Sequence, residues 1–211
     1  MEEGTTSSDS ESLNEILSDF GLSPLGGTQI VRFAQYLDLI LKWNARFNLT
    51  AIRDRDAIIR SHFVDCIACA QALPQGIRSL LDFGSGAGFP GIPVAICRPD
   101  LNVTLAESQT KKAGFLNEVV RTLGLTVTVF AGRAESISTT FDCLTLRAVD
   151  RMSVAIKSAI PLVSPGGWLV VMTTEARLPE AMATGRESIS WLNPVRNQHS
   201  MQRILLIGAR N

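Results

Sequence analysis

Leu81-Asp82-Phe83-Gly84-Ser85-Gly86-Ala87-Gly88-Phe89-Pro90-Gly91 sets the frame for the rest of the chain. Leu80 and Leu81 close a short apolar run and Asp82 follows; glycine then recurs at every second position, and Pro90 suits the first turn of a helix. The string predicts a strand, a glycine loop and a helix start, the opening of an α/β sheet. Glycine lets a backbone approach a ligand where a Cβ would collide, and a helix amino end leaves N–H groups free to meet it. Gly84, Gly86 and Gly88 are therefore candidate ligand contacts.

From Gly86 to Gly91 the string also nominally fits the dinucleotide fingerprint, in which a pyrophosphate rests on the helix terminus. Asp82 argues against that ligand, because a carboxylate beside the loop repels a diphosphate and suits a cationic amino-acid group. S-Adenosylmethionine carries an ammonium, a sulfonium and no phosphate, so Asp82 favours it over a nicotinamide dinucleotide. About twenty residues beyond such a loop, a nucleoside site wants an acid for the ribose hydroxyls. Glu107 stands there, closing the alternating run Leu101-Asn102-Val103-Thr104-Leu105-Ala106. The run reads as a second strand and puts the Glu107 carboxylate at the sheet's carboxyl edge, where ligands bind in open α/β folds.

A chain of 211 residues, 45% of them hydrophobic, can bury a full core in one main domain with an appendage. Residues 1–12, acidic and rich in serine and threonine, read as a disordered tail; residues 13–75 as a helical extension; and residues 76–211 as the main domain. The formal charge of zero leaves no global field to draw in nucleic acid, so any RNA site must be a local basic patch. Cys66, Cys69, Cys97 and Cys143 have neither a metal-binding spacing nor a secreted disulfide pattern, and no signal peptide or long apolar span is visible. The expectation is a cytoplasmic protein without metal or membrane segment. Cys66-Ile67-Ala68-Cys69 falls inside a predicted helix and reads as core.

In chain order, a short helix runs from Leu13 to Phe20, and a longer one spans Thr28 to Arg46 with Val31, Ala34, Leu37, Ile40 and Leu41 on its inner face. Asp54 can cap another, turning Ile58, Ile59, Val64, Ile67 and Ala68 inward. Arg53, Arg55 and Arg60 lie around its start and suit a solvated face. The core alternates strands and helices: a strand ending at Asp82, a helix from Pro90 to Cys97, a strand to Glu107 and a helix from Lys111 to Leu123. Leu125 to Phe130 forms a third strand and Phe141 to Leu146 a fourth. A helix follows from Met152 to Leu162, then a turn at Ser164-Pro165-Gly166-Gly167 and a fifth strand from Trp168 to Met172. A helix from Pro179 to Ser188 leads to a final hairpin, Trp191 to Arg196 with Arg203 to Ile207.

Two positions after these strands matter. Gly132-Arg133-Ala134-Glu135 would face an adenine, although Glu135 also suits an ordinary helix start. Arg147 ends the fourth strand, where a buried guanidinium must be paired, by a local acid such as Asp150, or must serve the site.

Several strings occur together in the order of the bacterial RsmG (GidB) family, which the chain resembles. They are Trp43-Asn44 with Phe47-Asn48-Leu49-Thr50, His62-Phe63-Val64-Asp65, the loop with Phe89-Pro90-Gly91, Lys111-Lys112 with Phe115-Leu116, Arg133-Ala134-Glu135, Arg147-Ala148-Val149, and Pro161-Leu162 with Gly166-Gly167. The resemblance runs from about residue 30 to 172. It implies a Rossmann-like S-adenosylmethionine-dependent methyltransferase fold, α/β, with a mostly parallel sheet, an antiparallel last strand and an N-terminal helical extension. It also implies transfer to a guanine N7 in 16S ribosomal RNA, with Gly84, Phe89, Ala134, Glu135 and Arg147 at the S-adenosylmethionine. Two departures stand out: Met172-Thr173-Thr174-Glu175 replaces a lysine-glycine after the fifth strand, and Cys66 replaces a serine.

Guanine N7 has a free lone pair and no proton to lose, so its methylation needs alignment and no general base. Its N7 and O6 are paired acceptors that an arginine can read, which makes Arg147, or a basic residue near it, the base reader, with Arg147 the candidate catalytic residue. Lys111, Lys112, Arg133 and Arg151 could meet phosphates of 16S rRNA or the small ribosomal subunit from the same edge. The expected enzyme is a monomer. A small-molecule methyltransferase would share the cofactor site but would need a lid over a dry pocket. A non-catalytic S-adenosylmethionine-binding protein is the other alternative.

Overall fold

In a computed structural model of the chain, residues 13–148, 151–196 and 203–211 are described. The expected tail at 1–12 lies outside them, as do Val149 and Asp150. Helix α1 covers residues 13–19, and α2 spans Gly27–Asn44. Helix α3 (Arg55–Ile58) passes through a π turn, Ile59–Phe63, into α4 (Val64–Ala72). The Asp54 carboxylate caps α3 by accepting from the Ala57 N–H at 2.8 Å, as its sequence position predicts.

Strand β1 (Ser79–Phe83) leads through the glycine loop to α5 (Gly91–Cys97); β2 (Asn102–Ala106) is followed by α6 (Thr110–Leu123) and β3 (Val127–Phe130). After β4 (Phe141–Arg147) come α7 (Met152–Ala159), β5 (Val163–Thr174) and α8 (Leu178–Ala183). Strands β6 (Ile189–Trp191), β7 (Val195–Arg196) and β8 (Arg203–Arg210) close the fold. The sheet order is β3-β2-β1-β4-β5-β8-β6, with β7 also on β8. Strands β1 to β5 pair in parallel, and β8 runs antiparallel to β5, β6 and β7. The order reverses between β1 and β4, which opens a crevice at their carboxyl ends.

Three sequence expectations need correction. The buried face of α2 carries Ile30, Phe33, Tyr36, Leu37 and Ile40, while Val31 is 43% exposed. The apolar stripe is set by the large aromatics, because Phe33 and Tyr36 pack on Phe63 at 5.1 and 5.5 Å. Ser164 to Gly167 does not precede β5 but bulges from within it, since Val163 pairs with Phe141 and Trp168 with Cys143. Helix α8 stops at Ala183, two residues before Gly185 adopts a left-handed φ of +71°.

The sheet is buried on both faces. On one, Leu80, Val103, Leu105, Cys143 and Val170 share a core with α1, α2, α4, α5 and α6; on the other, Leu81, Leu144, Leu146, Val171 and Leu206 pack under α7 and α8. The helices of residues 13–75 thus have no separate core, and their burial draws on the sheet's own apolar face. Cys66 and Cys69 are fully buried in α4, in keeping with a packing role, and burial pushes the Cys66 thiol up to about 12.

Candidate active site

The glycines of the loop divide into two kinds. Gly84 and Gly86 take left-handed φ values of +76° and +58°, and a Cβ on either would meet no atom nearer than 3.9 Å. Their faces are open to a ligand. Gly88, at φ +95°, faces the protein, where a Cβ would strike Ile92 at 2.7 Å and the Tyr36 hydroxyl at 2.8 Å. The loop is held from there, because Tyr36 donates from its hydroxyl to the Ala87 carbonyl at 2.6 Å. At Gly88 the absent side chain thus makes room for the packing of α2 on the loop.

Asp82, expected beside the ligand, is instead turned into the fold and 1% exposed. Its Oδ2 accepts from the Gly91 N–H at 3.1 Å and its Oδ1 from the Thr145 hydroxyl at 2.9 Å. One carboxylate thus ties the start of α5 to β4 across the crevice, and nothing larger than glycine fits at 91 beside it. Burial pushes Asp82 up to about 6, against the pull of these hydrogen bonds.

Glu107 lies where its spacing predicts, just past β2. Its Oε2 accepts from the Gly86 N–H at 2.9 Å and its Oε1 from the Gln109 N–H at 2.7 Å. Each oxygen keeps a second lone pair, so a carboxylate fixed in this way can still accept two ribose hydroxyls. Beyond β3, Ala134 is buried and Glu135 exposed in a 3₁₀ turn, Ala134–Ser136. An open glycine face, a fixed carboxylate and a turn at three successive strand ends fit a nucleoside with a cationic tail. They do not fit a diphosphate, because the Gly86 N–H is already bonded to Glu107.

Arg147 ends β4 with its side chain 13% exposed. Among the described residues its acidic partner is Asp65 in α4, at 3.5 Å; Asp150, the local acid considered from sequence, lies outside them. Its Nη2 also donates to the Ser61 carbonyl at 3.1 Å and to His62 Nδ1 at 2.9 Å. A guanidinium can only donate and the Ser61 carbonyl, 3.1 Å from the same Nδ1, can only accept, so the two ask opposite roles of that nitrogen; the Arg147 charge favours the neutral ring, whose Nε2 lies 3.0 Å from the Thr50 hydroxyl. Burial, followed by the Arg147 charge, lowers His62 to about 4, consistent with that form. Asn44 in turn fixes Thr50, accepting from the Leu49 and Thr50 N–H groups at 3.0 and 3.1 Å.

Arg203 at the start of β8 joins the cluster, bonded to both Asp65 and the Ser61 carbonyl. The Phe89 ring, expected at the ligand, is 8% exposed and packed inside, 4.7 Å from the His62 ring and 5.4 Å from the Arg147 guanidinium. Nothing in the local sequence marks residues 61–65 or Arg203 as site residues on chemical grounds. The π turn that presents the Ser61 carbonyl leaves no propensity signal, although such turns concentrate at functional sites.

A cavity of about 870 Å³ opens beside this cluster, walled by Asp65, Ala68, Arg147, Met172, Thr173 and Arg203. Lys111, Arg133 and Arg151 are exposed at the starts of α6, the 3₁₀ turn and α7, and Lys112 is half-buried. All four follow strand carboxyl ends. Glu175, the last residue of the departing stretch Met172-Thr173-Thr174-Glu175, is paired with Arg196 at 3.1 Å. Among the described residues, no cluster of His, Cys, Asp or Glu could hold a metal ion, and no helix is long and apolar enough to cross a membrane.

The fold has many solved counterparts. The ribosomal protein L11 methylase of Lactobacillus delbrueckii subsp. bulgaricus superposes with a TM-score of 0.61 at 12% identity, over 72% of this chain and 80% of that one. In sequence, the chain is 43% identical to the ribosomal RNA small subunit methyltransferase G of Chloroflexus aggregans, over 70% of this chain and 65% of the relative. It is 41% identical to the enzyme of the same name from Desulfitobacterium hafniense, over 75% and 68% respectively. The matched part thus spans about two thirds of these relatives' length. The family model for rRNA small subunit methyltransferase G matches residues 29–203, from α2 to the first residue of β8, and the chain belongs to that family, GidB.

Proposed function

We propose that this chain transfers the methyl group of S-adenosylmethionine to N7 of a guanine in 16S rRNA of the small ribosomal subunit. The observation that carries the reading is the junction of two unlike surfaces at Arg147: an open glycine face with Glu107 on one side, an arginine-lined cavity on the other. When bound, S-adenosylmethionine supplies a methyl group made electrophilic by its sulfonium.

The chain's own residues supply position. Gly84 and Gly86 let the backbone lie against the bound molecule, Glu107 accepts the ribose hydroxyls, and Ala134 and Glu135 flank the adenine. Asp82 and Gly88 are positioning residues that hold the loop from behind. Arg147, fixed by Asp65, His62 and Ser61, donates to the guanine beside the attacked nitrogen. N7 brings its own lone pair, so the neutral His62 has no proton to take and catalysis is alignment plus electrostatic fit. Lys111, Lys112, Arg133 and Arg151 meet phosphates from the same edge. The enzyme works as a monomer in the cytoplasm, with residues 13–75 an extension on the methyltransferase domain of 76–211.

The test is transfer of labelled methyl to small-subunit RNA and particles lacking the modification, followed by chain cleavage specific for N7-methylguanine. Cleavage at a single guanine is the expected result. Label on small molecules alone, or none leaving the donor, overturns the reading.

A further inference from the structure

We infer that Asp65 reads the Watson–Crick edge of the target guanine, drawn out of its stack into the cavity beside Arg147. This rests on the guanine N7 reading above. In A-form RNA the N7 edge lies in a major groove too deep and narrow for side chains, so the base must be splayed out to be reached. Enzymes that act on such a base hold it in a pocket, bonding its Watson–Crick edge and packing its faces on apolar groups.

The cavity of about 870 Å³ has the volume of a ligand site. Its walls include Met152, Met172 and Leu205, and Asp65 is the one carboxylate among the described residues lining it. Both arginines meet Asp65 through Oδ2, and no described residue bonds Oδ1. The arginines keep the carboxylate in place while one oxygen remains for a ligand. Thr173, on the β5 wall of the same cavity, is 7% exposed and its hydroxyl has no hydrogen-bond partner. The Thr173 hydroxyl is itself closed off from solvent, so the acceptor that the cavity offers is the free oxygen of Asp65.

The order of groups selects guanine. Going from α4 towards the glycine loop, the Asp65 carboxylate is followed by the Arg147 guanidinium, whose Nη2 is 3.5 Å from the engaged Oδ2 and whose centre lies 5.4 Å from the ring of Phe89, at the end of the loop. Along a guanine edge the groups run N2 amine, N1–H, O6, N7: donors, then acceptors. With the donors on Asp65, O6 falls to Arg147 and N7 is left facing the loop. Adenine sets an N1 lone pair against the carboxylate and is refused.

Inosine tests this directly, because it keeps N7, O6 and N1–H and lacks only the N2 amine. With the wild-type enzyme, RNA carrying inosine at the target position should be methylated with kcat/KM about ten- to a hundredfold lower, the worth of one hydrogen bond to a charged group. In Asp65→Asn the guanine-to-inosine ratio should collapse towards one. Equal kcat/KM for the two wild-type substrates, or an unchanged ratio in the variant, overturns the assignment. Calorimetry with guanosine and inosine 5′-monophosphates separates this from the functional reading. If no RNA is methylated but the guanosine nucleotide binds more tightly, the pocket stands and the reaction does not; if neither nucleotide is preferred, both fall.

Discussion

The two sides of the crevice are built by opposite means. The β1–β3 side is backbone and short-range sequence: glycine φ angles, a carboxylate bonded to two nearby N–H groups, and a 3₁₀ turn, all between residues 82 and 136. The β4–β8 side is made of side chains brought from afar, with Arg147 reaching Ser61 across 86 positions and Arg203 reaching Asp65 across 138. The first needs a local conformation to be right, and the second needs the whole fold. Substitutions should therefore fail differently on the two sides.

Arg147→Ala should give the largest functional loss with a modest structural one. Removing a donor aligned on the reacting base lowers kcat by about a hundred- to a thousandfold, while Arg203 still pairs with Asp65 and limits the loss of stability to about 1–2 kcal/mol. Single-turnover methylation and urea unfolding on the same preparation check it. A variant that turns over normally removes Arg147 from the reacting side.

Gly88→Ala and Gly84→Ala separate the two kinds of loop glycine. At 88 the new Cβ meets Ile92 and the Tyr36 hydroxyl in a left-handed backbone, for about 2–4 kcal/mol of lost stability. At 84 the backbone strain alone, about 1 kcal/mol, reduces stability, and donor affinity falls as the open face is filled. Equal unfolding midpoints for the two variants would erase the division.

Charge burial also differs in sign across the crevice. Asp82 is raised from 3.8 to about 6, so the folded chain keeps a proton that the unfolded chain releases; its contribution to stability is full below about pH 4 and lost as pH rises through 6. His62 is lowered from 6.5 to about 4, so its contribution is present above pH 6.5 and lost as pH falls towards 4. Each amounts to about 3 kcal/mol over that window, and the two offset. Asp82→Asn should expose the His62 slope, with Tm dropping as pH falls from 6.5 to 4, and His62→Gln the opposite slope. Identical profiles for wild type and both variants would show that neither group titrates in this range.

This contrast also explains what the sequence could reveal. The parallel core, the loop and Glu107 were legible because each rests on spacing within a few tens of residues. The open faces of Gly84 and Gly86 could not be told from the packed one of Gly88, since three glycines at alternate positions look alike until Tyr36 is brought against one of them. Arg147 is visible in the sequence as a cation needing a partner or a site, but nothing in the spacing points to Asp65. Asp65 sits in a helix whose apolar pattern gives no hint that its carboxylate faces β4, and only the packing of α4 on α5 and the sheet brings it there.

The smallest effect is expected at the outer edge, where neither kind of construction applies. Lys111 is exposed, its ammonium 5.1 Å from the ring of Phe47, which packs tilted against Trp43 at 5.5 Å. Nothing in that arrangement fixes the charge against a particular base, in contrast to the partners around Arg147. A cation of this kind holds a phosphate through counterion release, so Lys111→Ala should weaken RNA binding alike for all sequences and lower the slope of log K against log salt by about 0.7–0.9. Because the contact forms before and persists through the chemical step, kcat at saturating RNA should be unchanged. A salt titration beside a saturation curve decides it. A fall in kcat would carry Lys111 from the rim into the reacting site and extend the side-chain-built half of the crevice past β2.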